Sequence, residues 1–107
     1  MNAKTLLTVI LALTSQLAAA QNVADCVHRP VLGRDPVCNQ GRSAAVTNLC
    51  SQKVDVKLCM ENNGRWDCRV EWGVAPGRKW SASWCNGNGN TWYAVRPTGS
   101  DRRFDNP

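Results

Sequence analysis

Over residues 54–60 apolar and polar side chains alternate: Val54, Val56, Leu58 and Met60 are separated by Asp55, Lys57 and Cys59. A period of two belongs to a strand with one buried face. The period recurs over residues 66–72, where Trp66, Cys68, Val70 and Trp72 alternate with Asp67, Arg69 and Glu71. It recurs again over residues 79–85, with Trp80, Ala82 and Trp84 on one side and Ser81, Ser83 and Cys85 on the other. Runs at residues 44–49 and 91–96 complete five expected strands separated by turn residues. The chain therefore reads as all-β, a small antiparallel β-sandwich-like domain over residues 43–97. Residues 21–42 hold Pro30, Gly33, Pro36 and Gly41 without a sustained period and read as an irregular arm. Residues 86–90 (Asn-Gly-Asn-Gly-Asn) read as a flexible loop, and residues 98–107 as a polar tail that frays from Asp101 onward.

The connection between the second and third expected strands admits two registers. A three-residue loop closed by Gly64 pairs Glu61 with Arg65 and sets Met60 opposite Trp66, Leu58 opposite Cys68, Val56 opposite Val70 and Val54 opposite Trp72. All these apolar side chains then share one face, with Trp66 and Trp72 in the core. A two-residue Asn63-Gly64 turn instead sets Cys59 opposite Cys68, ready for a cross-strand bridge, but mixes the faces. The first register is the expectation, because it preserves the amphipathic pattern. A bulge near Cys59 could reconcile the two, and a bridge between Cys59 and Cys68 stays open.

Lys4, the apolar stretch at residues 6–13 and the small residues Ala18, Ala19 and Ala20 match a signal peptide over residues 1–20, cleaved before Gln21. These eight residues span only about 12 Å of helix against about 30 Å of hydrocarbon, so a membrane anchor is not expected. The mature chain then carries twelve basic against eight acidic side chains, and secretion or a periplasmic location follows. All six cysteines, Cys26, Cys38, Cys50, Cys59, Cys68 and Cys85, lie beyond the cleavage point, and an even number in a short exported chain implies a disulfide framework. Six cysteines allow fifteen pairings. Cys26 with Cys38 is the preferred local pair, clipping the arm.

Candidate chemistry is sparse. No C-x-x-C pair occurs and His28 is the single imidazole, so no metal or other cofactor is expected. Nothing distinguishes two of Asp25, Asp35, Asp55, Glu61, Asp67, Glu71, Asp101 and Asp105 as an acid/base pair, and no motif ties His28 to a nucleophile, so enzymatic activity is not expected. Five Trp in so short a chain are the unusual feature. Trp80, Trp84 and Trp92, next to Arg78, Lys79 and Arg96, are the candidate contact residues, as aromatic rings interleaved with cations suit an anionic or ring-bearing partner. Arg102 and Arg103 extend this basic set. Export and the absence of a nucleic-acid-binding signature argue against nucleic acid.

The run Asn48-Leu49-Cys50, Val54-Asp55-Val56-Lys57-Leu58-Cys59, Trp66-Asp67-Cys68, Ala75-Pro76-Gly77, Cys85 and residues 92–96 resembles small exported bacterial cysteine-stabilised β domains to which no activity is assigned. The likeness covers residues 43–103 and implies a bacterial envelope setting without supplying functional residues. Together these readings point to an exported, monomeric binding module for an envelope glycan or protein. The alternative is a soluble inhibitor of an exported enzyme, presenting residues 86–90 or the basic tail.

Overall fold

The computed structural model describes residues 23–38 and 41–107, so the expected signal peptide and its cleavage point lie outside the described residues. The described residues form a 3-10 turn at Val23–Cys26 and six strands: β1 Val31–Asp35, β2 Gly41–Thr47, β3 Val54–Asn62, β4 Arg65–Val74, β5 Lys79–Trp84 and β6 Gly87–Pro97. Every pairing is antiparallel. One sheet has the order β1-β2-β5 and the other β4-β3-β6. The all-β sandwich architecture expected from the periodicity is present, with six strands in place of five. The additional strand is β1, inside the segment read as an irregular arm. Residues 87–90, read as a flexible loop, belong instead to β6: Gly87 pairs with Asn62, and Asn90 donates from Nδ2 to Glu61 Oε2 at 2.9 Å.

The inner faces meet in a core of small aliphatic side chains and two Trp. Val54, Val56, Leu58 and Met60 of β3 pack against Ala44 and Val46 of β2 and against Trp84 of β5, while Trp80, half-buried, touches both halves of this core. Trp84 is 1% exposed and its Nε1 donates to Asp67 O at 3.0 Å, tying β5 to β4. At one end Asn48, also 1% exposed, acts as a buried polar knot. Its Nδ2 donates to Gln52 O and Val74 O, both at 2.9 Å, and its Oδ1 accepts from Cys50 N at 2.8 Å.

The β3–β4 hairpin takes the register that breaks the amphipathic pattern. Asn62 pairs with Arg65, Glu61 with Trp66, Met60 with Asp67, Cys59 with Cys68 and Leu58 with Arg69. Turn stereochemistry decides it. Asn63 (φ 52°) and Gly64 (φ 76°) both sit at positive φ, the two-residue turn whose twist matches that of the flanking strands. The expected three-residue loop with Met60 opposite Trp66 is thereby replaced. Farther along, Val54 pairs with Val74 but Val56 with Glu71, so Asp55 faces both Trp72 and Gly73 across a bulge. Gly73 (φ 71°) permits it, and the extra residue returns Val74 to the core while leaving Trp72 outside.

Three disulfides join Cys26 to Cys50, Cys38 to Cys85 and Cys59 to Cys68. The expected Cys26–Cys38 pair does not form. β1 carries the chain away between these two residues, and Cys26 is left beside Cys50, where Leu49 N donates to Cys26 O at 2.8 Å. Cys59 and Cys68 are direct cross-strand neighbours, and their bridge follows from the register.

Candidate functional site

The consequence of the register is the composition of the outer face of β4-β3-β6. Side chains alternate across a strand, so Cys68 opposite Cys59 puts Trp66, Cys68, Val70 and Trp72 of β4 on the same side as Glu61, Cys59, Lys57 and Asp55 of β3. On β6 the matching positions are Trp92, Ala94 and Arg96. Trp66 is 42% and Trp72 60% exposed. Both were expected in the core; they stand outside it, about 20 Å apart along the strand.

Arg96 organises one end of this face. Its Nε donates to Asp55 Oδ2 at 3.0 Å, and its guanidinium lies between two rings, with Cζ 5.1 Å from the centroid of Trp72 and 4.7 Å from that of Phe104. Asp55 is 2% exposed and fully engaged, because its Oδ1 also accepts from Gly73 N and Thr98 Oγ1, both at 2.9 Å. The buried carboxylate therefore serves the bulge and the cation at once. Lys57 holds its Nζ 5.8 Å from the Trp92 centroid. At the other end, hydrogen bonds from the Asn90 and Asn88 side chains hold the Glu61 carboxyl below its ordinary pKa. That favours the carboxylate beside Trp66.

Of the expected contact residues, the structure brings together two, Trp92 and Arg96. Trp84 cannot serve: the alternation read in β5 is present, but its aromatic side faces the opposite sheet and Trp84 is buried there. Trp80 lies in the same layer. Arg78 and Lys79 are exposed at the turn into β5, with Arg78 O accepting from Asn48 N. The residues missed by sequence reasoning are Trp66, Trp72, Lys57 and Phe104. The signal for the first two was the Asn63-Gly64 turn and the cross-strand cysteines, which outrank hydrophobic alternation here.

Among the described residues no group of three or more His, Cys, Asp or Glu is placed to hold a metal ion. No described helix is long and apolar enough to cross a membrane. Comparison with protein-family models, with curated proteins and with solved structures finds no match for this chain.

Proposed function

We propose that the protein is an exported binding module and that the outer face of β4-β3-β6 is its contact surface. One observation carries this reading. The side of β4 turned away from the opposite sheet reads Trp66, Cys68, Val70, Trp72, with both Trp exposed and no charged side chain, while the charged Asp67, Arg69 and Glu71 take the other side, the reverse of the polar outer face an antiparallel sheet ordinarily carries. Exposed Trp beside Arg is the composition of interaction hot spots. Neighbouring Lys57, Trp92 and Arg96 add cations and a further ring on the same surface. The three disulfides accord with an oxidising compartment outside the cytoplasm, where the signal-peptide reading of residues 1–20 also leads.

The test compares the folded, disulfide-bonded protein with its Trp66→Ser/Trp72→Ser variant as immobilised baits for envelope fractions, before and after protease treatment. The variant is expected to keep its melting temperature within a few degrees, since both side chains are exposed, and to lose the retained material. Equal retention by both baits would remove the face from the function.

A further inference from the structure

The outer face already holds a peptide, which is the chain's own C-terminal segment. After β6 the backbone turns at residues 97–100, with Thr98 N donating to Lys53 O at 3.1 Å and Ser100 N to Pro97 O at 3.1 Å. Residues 101–107 then lie along the face without pairing to any strand. Phe104, half-buried between exposed neighbours, sets its ring 6.0 Å from that of Trp72 and completes the clamp around the Arg96 guanidinium. Arg96 Nη1 donates to Arg102 O. Lys57 Nζ donates to Asn106 Oδ1 at 2.8 Å and to Asp105 O at 3.3 Å. A hollow of about 360 Å³ remains between this segment and residues 92–96 of β6.

We infer that residues 101–107 are an internal ligand, and that the partner of this face is an extended peptide presenting an aromatic side chain followed within two residues by an acidic or amide one. The inference rests on the reading of this face as the contact surface and goes on to name what it takes. The acceptors engaged are two main-chain carbonyls and one side-chain amide, at the spacing of a peptide, with one ring seated on Trp72 and Arg96. A partner peptide must displace the tail before it can occupy these contacts. A segment tethered by a short linker competes at an effective concentration of about 1 mM. The tail thus excludes weak ligands and yields to a peptide that also reaches Trp66, about 20 Å along β4 from Trp72.

The experiment uses the disulfide-bonded chain lacking residues 101–107, the intact chain, and a synthetic peptide Ser-Asp-Arg-Arg-Phe-Asp-Asn-Pro, residues 100–107, followed by amide and indole NMR shifts. A tail that is docked when tethered at about 1 mM must bind in trans with a Kd below about that value. The truncated chain should therefore show saturable shifts at Lys57, Trp72, Ala94 and Arg96. The intact chain should bind at least about twofold more weakly, and a peptide carrying Phe104→Ala about tenfold more weakly. Should truncation prevent folding, Phe104→Ala in the full chain releases the clamp and is expected to accept the unmodified peptide. No saturable shift up to about 5 mM in either protein, equal binding of the Phe104→Ala peptide, or shifts at these residues produced by soluble glycans and not by peptide would overturn the inference. Envelope material retained through Trp66 and Trp72 without peptide binding would overturn this inference alone. Peptide binding without any retained material would overturn the broader reading alone.

Discussion

Replacing Asp55 by Asn tests whether the fold and the contact face share one electrostatic support. Asn keeps the size and one carbonyl oxygen, so the bonds from Gly73 N and Thr98 Oγ1 to Oδ1 can persist. What changes is the other atom: a carboxylate oxygen 3.0 Å from Arg96 Nε becomes an amide donor facing a donor. The Asp55 side chain is 3% exposed and that of Arg96 19%, so water replaces little of the lost pairing. Breaking a pair this deeply buried by changing one member costs about 3–5 kcal/mol. Arg96 retains the two rings and Arg102 O, which places the cost at the lower end, about 3 kcal/mol. In a domain this small each kcal/mol moves Tm by about 4–8 °C, giving a fall of at least about 12 °C. The assay is thermal and urea unfolding of the oxidised protein as wild type, Asp55→Asn, Arg96→Met and the double variant. The coupling energy should be about 2 kcal/mol, and the Trp72 and Phe104 ring signals should move together in Asp55→Asn while the Trp84 indole stays in place. A Tm within about 3 °C of wild type, or a coupling below about 0.5 kcal/mol, would refute the shared support.

Two further outcomes follow from buried and rim polar groups. Asn48→Ala leaves Val74 O and Cys50 N without their side-chain partner and should lose about 2–4 kcal/mol by urea unfolding; Asn48→Asp, nearly isosteric, should lose at least as much because it turns an acceptor toward Val74 O and Gln52 O. For Glu61, whose native pKa is lowered by Asn90 and Asn88, the stabilisation is present above the ordinary glutamate pKa of about 4.3 and disappears as pH falls through the lowered native value; the protection of the amides at residues 88–90, measured as exchange relative to the intrinsic rate at each pH, should fall over that acid range in the wild type and lose this pH step in Glu61→Gln.

The strands that alternate were legible, and β1, which does not, was invisible. β3 and β5 bury one side against the opposite sheet, and their period of two appears directly in Val54–Met60 and in Trp80, Ala82 and Trp84. β1 has no such period because Val31 to Arg34 are all exposed, so no burial constraint shapes its residue order. Its Gly33 reads as a breaker, yet a Cβ there would stand 2.8 Å from Ser43 Oγ, and the glycine marks a close strand pairing. The outer side of β4 was placed in the core for a different reason. Trp66, Val70 and Trp72 alternate as well on a wet face as on a dry one, and periodicity does not say which side of a sheet faces the core. That choice rested on two dihedral angles in the turn. Phe104 lay among charged residues and carried no local signal, since its partners Trp72 and Arg96 come from other strands.

A domain this small that leaves Trp66 and Trp72 outside must be held together by something other than aromatic burial. Its core relies on Val, Ala, Leu and Met around Trp84, and burial in chains of this length leaves little net stability. The three disulfides act where that core does not reach. Cys26–Cys50 fixes the 3-10 turn to the end of β2, and Cys38–Cys85 joins the β1–β2 connection to the end of β5. Cys59–Cys68 lies on the outer face itself, in the same column as Trp66 and Trp72. With sequence separations of 24, 47 and 9, chain-entropy scaling assigns the bridges about 2.5–4 kcal/mol each, least to the short Cys59–Cys68 loop. Their sum, about 10 kcal/mol, matches the entire stability of an ordinary domain. Covalent closure of the unfolded chain thus releases the outer side of β4 from any part in the buried core. The fold can then keep two large rings in solvent on a rigid, cross-linked pair of strands, where ordering them again on contact with a partner costs little conformational entropy.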